Sequence, residues 1–78
     1  MKMRLAPGDV VRHFKGKKYE ILYIAKDSET MEAVVVYRAL YGEQGVWVRP
    51  LEMFLSPVDR EKYPDAAQTY RFEKVVKE

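Results

Sequence analysis

The side chains best suited to recognition chemistry lie in the middle of the sequence, where a predicted hairpin carries both aromatic rings and guanidinium groups. Its two arms, residues 37–42 and 45–50, contain Arg38, Trp47 and Arg49. Arginine binds phosphate or carboxylate groups through paired hydrogen bonds, and aromatic rings beside arginine suit a peptide, a proline-rich segment or an unstacked base. The hairpin therefore predicts a binding site for a ligand of one of these kinds.

Strand alternation predicts which side chains share a face. If residues 43–44 form the hairpin tip, Leu40 lies opposite Trp47 and Arg38 lies opposite Arg49. With contributions from the preceding hairpin and the first turn, the candidate binding face consists of Tyr19, Tyr23, Arg38, Trp47, Arg49, His13 and Lys15. The other face is free of charge and is the predicted core, with Leu22, Ile24, Val35, Tyr37, Val46 and Val48. A register shift of one residue would exchange the two faces.

A second interpretation of the same residues is purely structural. Residues 57–78 would cover the rings, with Tyr70 and Phe72 packed on them. Acidic groups such as Glu29 or Glu52 would then neutralise the opposed arginines, which otherwise repel one another. The exposure of the indole ring separates this interpretation from a binding face.

β-Branched and aromatic residues between turn signals predict five short strands, at residues 10–14, 17–26, 33–41, 46–50 and 70–76. Residues 51–55 lack β-branched side chains and predict a helical turn. Ser56 followed by Pro57 predicts a short helix that ends near Tyr63. The chain, residues 1–78, is therefore predicted to be a single mainly β domain: a small SH3-like five-stranded barrel with a helical turn after strand four and a short helix before the last strand. An oligonucleotide-binding-type barrel is the nearest alternative.

Composition excludes several classes of function. The 78 residues include no Cys and one His, so thiolate nucleophiles, cysteine metal sites and imidazole cages are excluded, and we expect no metal or other cofactor. An enzyme would need a cleft around His13, Tyr37 and Glu29, and we expect none because His13 has no paired nucleophile. No apolar run is long enough for a signal sequence or a membrane span, so we expect a cytoplasmic protein without a membrane partner.

The charge is unevenly distributed although its net value is only +2. Residues 1–18 carry six basic side chains and one acidic side chain, whereas the remainder carries eight basic and eleven acidic side chains. Such asymmetry is typical either of an anionic partner or of an ordinary solvated end.

Several sequence blocks, in their order along the chain, resemble a known family. They are His13-Phe14-Lys15-Gly16, Tyr19-Glu20, Ser28-Glu29-Thr30, Val36-Tyr37-Arg38, Leu40-Tyr41-Gly42, Trp47-Val48-Arg49-Pro50 and Met53-Phe54. From about Pro7 to Val76 the chain resembles the bacterial family catalogued as domain of unknown function 1653. The resemblance implies a short, usually stand-alone bacterial protein with a small β-barrel fold, and it implies no particular activity.

These observations favour a non-enzymatic binding module that recognises a peptide or an anionic ligand through the aromatic and arginine face. One alternative is nucleic-acid binding by that face together with the basic amino-terminal end, which predicts affinity that falls steeply with salt. Another is a structural or regulatory subunit whose aromatic face forms a homodimer seam, so both a monomer and a homodimer stay open.

Overall fold

The computed structural model describes residues 4–75 and is built from five strands and one short helix. In chain order these are β1 (Val10–His13), β2 (Lys18–Lys26), β3 (Ala33–Ala39), β4 (Val46–Pro50), α1 (Leu51–Phe54) and β5 (Phe72–Lys74). The predicted mainly β architecture, with a helical turn after strand four, is confirmed. The last strand is much shorter than the predicted 70–76, and Val76 lies outside the described residues.

All five strands belong to one antiparallel sheet with the order β4-β3-β2-β1-β5. Within the described residues β4 and β5 form its two edges and do not pair with each other, so the predicted closure into a barrel is not observed. The sheet is nevertheless curved, and this brings side chains of its two edge strands close together: the guanidinium carbon of Arg49 on β4 lies 6.0 Å from the ring centre of Phe72 on β5. The SH3-like relationship stays a prediction.

The core lies on one side of the sheet, which we call the inner face. It is formed by Val11, Ile21, Val35, Tyr37, Phe54 and Phe72, of which Tyr37 is the most exposed at 5%. Helix α1 follows β4 directly and places Phe54 against Phe72, with the rings stacked at 3.9 Å and an interplanar angle of 4°. The helical turn thus plugs the inner face, and it does so with Phe54 rather than with the half-exposed Met53.

Strand β2 changes the side to which its residues point halfway along its length. Ile21 pairs with Tyr37, but Tyr23 pairs with Val36, so the register shifts at Leu22 as in a β-bulge. Before the shift, Tyr19 and Ile21 lie on the inner face. After it, Tyr23 lies on the opposite, outer face of the sheet.

The predicted short helix at residues 57–63 is wrong. Pro57 instead forms an isolated β-bridge with Tyr70, and the N–H of Val58 donates to the carbonyl of Thr69 at 2.9 Å. These contacts hold the segment extended and bury Val58, which is 5% exposed. Only turns follow before β5, one of which is closed by a hydrogen bond from the N–H of Tyr63 to the carbonyl of Asp59. Tertiary pairing therefore overrides the local capping signal.

Helix α1 has four residues, and across residues 4–75 no helix combines the length and the apolarity that crossing a membrane requires.

Candidate functional site

The register between β3 and β4 decides which side chains reach the inner face. Trp47 pairs with Tyr37 and Arg49 pairs with Val35, so both lie on the inner face, whereas Arg38 pairs with Val46. The predicted pairs of Leu40 with Trp47 and Arg38 with Arg49 are therefore wrong. The partner of Trp47 moves by three positions along β3, and an odd shift exchanges the faces of the two strands relative to each other.

The cause of this shift is the length of the connection, which runs from residue 40 to residue 45 rather than through a two-residue tip. The carbonyl of Gly45 accepts a hydrogen bond from the N–H of Ala39 at 2.9 Å, and Gly42 and Gln44 adopt positive φ angles of 58° and 57°. A long loop of this kind has no single register that its sequence dictates.

Two of the predicted site residues lie on the outer face. Arg38 forms an ion pair with Glu20, with 3.7 Å between nitrogen and oxygen, and Tyr23 is 66% exposed beyond the bulge. The predicted core residues Val46 and Val48 are also on this side and are 54% and 62% exposed. The predicted face is therefore split between the two sides of the sheet.

The other five predicted residues, His13, Lys15, Tyr19, Trp47 and Arg49, line two neighbouring recesses of the inner face. The first, which we call the aromatic recess, has a volume of about 260 Å³ and is lined by Tyr19, Tyr37, Tyr41, Trp47 and Arg49. Trp47 is 59% exposed there, so residues 57–75 do not cover its indole. Phe72 does pack near Tyr19, with ring centres 5.7 Å apart, as the structural interpretation expects.

Hydroxyl groups form the polar edge of the aromatic recess. The hydroxyls of Tyr19 and Tyr41 share a hydrogen bond of 2.8 Å, and Nε of Arg49 donates to the hydroxyl of Tyr37 at 3.1 Å. Burial, followed by the hydrogen bond to Tyr41, raises the pKa of Tyr19 to about 12. Tyr19 is therefore a neutral hydrogen-bonding group at any physiological pH.

The orientation of the Trp47 ring depends on Gly45. A Cβ at position 45 would lie 3.2 Å from Nε1 of Trp47, closer than the ring tolerates without moving. The missing side chain lets the indole lie against the loop backbone beside the recess.

The second recess, which we call the basic recess, also has a volume of about 260 Å³. It is lined by His13, Phe14, Lys15, Arg49, Asp59, Lys62, Tyr63 and Arg71. Besides His13, four of these side chains are basic and one is acidic. The ion pairs within residues 4–75 are Arg38–Glu20 and Lys74–Asp9, and neither involves a residue of this recess.

The turn between β1 and β2 positions Lys15 at the rim. Gly16 has a φ of 105° and its N–H donates to the carbonyl of His13 at 2.7 Å, which closes the turn. The ammonium of Lys15 lies 5.1 Å from the ring centre of Tyr63, and the rings of Phe14 and Tyr63 meet edge to face at 4.9 Å. The aromatic pair thus supports the cation through a cation–π contact.

The environment of His13 favours its neutral form. Burial first, and then the charges of Arg49, Lys15 and Arg71, lower its pKa from 6.5. Its Nδ1 accepts a hydrogen bond from the N–H of Lys15 at 3.1 Å, which assigns the ring proton to Nε2. An anion beside these groups would reverse the electrostatic part of the effect.

Arg71 has hydrogen-bonding capacity that its surroundings leave unused. Its Nε is buried and has no hydrogen-bond partner among the described residues. A buried donor without a partner costs free energy.

Comparison with known proteins identifies the family of this chain. A family model described as "Protein of unknown function (DUF1653)" matches residues 9–74. The chain belongs to this family. A crystal structure of a DUF1653 protein from Bordetella bronchiseptica is similar to it, with 36% sequence identity and a TM-score of 0.74 over 96% of this chain and 92% of the other. No curated protein matches the chain.

Sequence reasoning missed several lining residues of this DUF1653 protein. Tyr41 lies in the β3–β4 loop, Lys62 belongs to the segment that is predicted to be helical, and Arg71 belongs to the predicted last strand. No signal identifies Lys62, whereas the alternation of Arg71 with the buried Phe72 is the kind of pattern that marks a strand end. Glu29, part of the enzyme alternative, lies in the exposed β2–β3 turn and lines neither recess.

Other parts of the DUF1653 chain offer less chemistry. Among residues 4–75 no three His, Asp or Glu side chains form a metal-ligand group. A larger recess of about 440 Å³ lies between Glu32 and the β4–α1 junction and contains two carboxylates, Glu32 and Glu52, but no aromatic ring. The two inner-face recesses therefore form the candidate site.

Proposed function

We propose that this DUF1653 protein is a non-enzymatic binding module and that its ligand is an anion held in the basic recess. The observation that carries the proposal is the unbalanced charge of this recess, where Lys15, Arg49, Lys62 and Arg71 face the single carboxylate of Asp59. Clustered cations repel one another, and a bound anion removes that repulsion while accepting their hydrogen bonds.

The geometry supports binding by preformed groups. Tyr37 holds the Arg49 side chain through its hydroxyl, and the cation–π contact with the Tyr63 ring holds the Lys15 ammonium. Side chains held in this way lose less conformational entropy when a ligand binds. Arginine is also the side chain whose planar donors best match a phosphate or a carboxylate.

The test uses pyrophosphate as the probe and a pair of matched arginine variants. Arg49→Gln removes a cation of the basic recess, and Arg38→Gln removes one from the outer face. Nuclear magnetic resonance titration of wild-type protein should show shifts at His13 and Lys15. We expect Arg49→Gln to weaken pyrophosphate binding by about 10- to 150-fold, the equivalent of a lost hydrogen bond to a charged group. Arg38→Gln should bind as the wild type does.

Equal losses in the two variants would mean non-specific charge attraction and would contradict the proposal, as would the absence of any pyrophosphate binding. Affinity should also fall as salt is raised, since the proposed contact is ionic. Circular dichroism and thermal melting of each variant check that the fold is intact.

A homodimer through the aromatic recess is the alternative that this site also permits, because the half-exposed indole of Trp47 is suited to an interface. Sedimentation velocity over a range of protein concentrations distinguishes the two. A dimer that is lost in Trp47→Ala while the fold is kept would favour the interface, and a monomer at all concentrations would exclude it.

A further inference from the structure

The two recesses meet at a single side chain. Arg49 lines both of them, with its Nε on the Tyr37 hydroxyl and its guanidinium carbon 6.0 Å from the ring centre of Phe72. A ligand that occupies both recesses must therefore present an anionic group directly beside a group that suits aromatic rings.

We propose that the ligand of this site is a nucleotide, with its base against Trp47 in the aromatic recess and its phosphate in the basic recess. This inference rests on the proposed function, because it assigns the anion of that function to a phosphate and adds the base. A base beside a phosphate is offered both by a free nucleotide and by one unit of a single strand, although a phosphate inside a strand carries only one negative charge.

The charge of the basic recess favours phosphate over carboxylate. Lys15, Arg49, Lys62 and Arg71 supply four positive charges against the one of Asp59. Lys17 adds another at the rim of the aromatic recess, where its ammonium lies 4.9 Å from the ring centre of Tyr41. A single carboxylate would leave most of this charge unbalanced, whereas a terminal phosphate carries close to two negative charges at neutral pH.

The aromatic recess favours a base over an apolar side chain. Trp47 and Tyr41, which are 59% and 40% exposed, offer ring surface for stacking. The hydroxyls of Tyr19 and Tyr41 lie beside that surface, joined at 2.8 Å, and retain further donor and acceptor capacity. A base has both a stacking face and a hydrogen-bonding edge, whereas the ring of a phenylalanine has only the first.

The decisive experiment compares three probes that separate the base from the phosphate: adenosine 5′-monophosphate, ribose 5-phosphate and adenosine. Trp47 is the only tryptophan of the chain, so its fluorescence reports on the recess directly. We expect the monophosphate to quench this fluorescence and to bind about 5- to 150-fold more tightly than ribose 5-phosphate, the range expected for one stacked base. Adenosine alone should bind most weakly.

Two variants assign the effect to the ring. In Trp47→Ala, binding is measured by the nuclear magnetic resonance shifts of Lys15. The substitution should abolish the advantage of the monophosphate and leave the affinity for ribose 5-phosphate unchanged. Tyr23→Ala removes an aromatic ring that is 66% exposed on the outer face and should change neither affinity. Because the Trp47 side chain is mostly solvent-exposed, its removal should not unfold the protein.

The outcomes separate this inference from the function on which it rests. If ribose 5-phosphate and adenosine 5′-monophosphate bind equally, the nucleotide assignment is overturned and the anion-binding function stands. If neither they nor pyrophosphate bind, both fail. A hexathymidylate strand that binds more tightly than the mononucleotide identifies single-stranded nucleic acid as the source, whereas equal affinity identifies the free nucleotide. Tighter binding of a peptide with a carboxy-terminal tyrosine than of any nucleotide would also overturn the assignment.

Discussion

Arg49 donates from Nε to the hydroxyl of Tyr37 at 3.1 Å, and this bond ties the edge strand β4 to its neighbour β3. The same guanidinium reaches Phe72 on the opposite edge strand β5, where its carbon lies 6.0 Å from the ring centre. One side chain thus links three strands of an open sheet. It also lines both recesses and is therefore the side chain that they share.

The stacked phenylalanines should be the largest single contribution to stability at the helix–sheet contact. Phe54→Ala removes a completely buried ring that lies 3.9 Å from Phe72, and we expect the free energy of unfolding to fall by about 3–5 kcal/mol. Met53→Ala, in the same helix but 49% exposed, should cost far less. Urea denaturation of both variants measures the difference, and equal losses would contradict the assignment of Phe54 to the core.

Acid should destabilise the protein through His13. Its pKa in the folded state is below 6.5 because of burial and then of the charges of Arg49, Lys15 and Arg71. As the pH falls below about 6.5, the unfolded chain takes up the proton first, so the free energy of unfolding decreases. His13→Gln should show a shallower decrease between pH 7.5 and pH 5 in denaturant titrations. The chain has no other histidine, so an unchanged slope would refute the effect.

Anion binding should be coupled to the same proton. A pyrophosphate beside Arg49 and Lys15 would offset their charge, so we expect saturating pyrophosphate to raise the pKa of His13 from its lowered value. By linkage, binding of pyrophosphate in this pH range should be accompanied by uptake of a proton at His13. A nuclear magnetic resonance titration of the imidazole with and without pyrophosphate measures the shift. An unchanged pKa would place the anion elsewhere.

The hydroxyl pair of the aromatic recess should be visible in an alkaline titration. Burial and the hydrogen bond to Tyr41 raise the pKa of Tyr19 to about 12. Tyr41→Phe should lower that pKa but leave it above 10.0, because burial is the larger of the two causes. Ultraviolet absorbance of tyrosinate follows the transition, and Tyr23→Phe on the outer face should leave it in place.

Two glycines of one loop should respond differently to alanine. Gly45→Ala places a methyl group 3.2 Å from Nε1 of Trp47, so the indole must move and its fluorescence spectrum should change. Gly42→Ala meets no atom within 4 Å but forces alanine into a φ of 58°, which should cost about 1–2 kcal/mol. Its tryptophan spectrum should match the wild type. The reverse pattern would mean that Gly45 does not position the ring.

The strands could be predicted from composition because β-branched and aromatic runs alternate with turn residues, and the segments around β2 and β3 agree with the structure to within two residues. Which side chains lie on which face of the sheet could not be predicted from the sequence. The β3–β4 register depends on a loop that runs from residue 40 to residue 45, and Tyr23 leaves the inner face because of the bulge at Leu22. Neither a loop length nor a bulge has a strong local signal, and each exchanges faces.

The placement of the predicted site residues depends on the same two features. His13, Lys15 and Tyr19 precede the bulge, and Trp47 and Arg49 belong to one strand, so the structure places these five side chains at the two recesses. That they bind a ligand stays a prediction. Arg38 lies on the outer face because the β3–β4 register differs from the predicted one. The additional cations come from residues 57–75, where a β-bridge between Pro57 and Tyr70 replaces the expected helix.

The bulge at Leu22 also separates an exposed part of the sheet from the part that packs around the core. Beyond it, residues 23–32 are exposed throughout and form a protruding arm made of the outer half of β2 and the turn into β3. An arm with so few buried contacts can open and exchange its amide hydrogens without disturbing the core that holds Ile21. No residue of this arm lines either recess, so we expect its amide hydrogens to exchange faster than those of the recess walls.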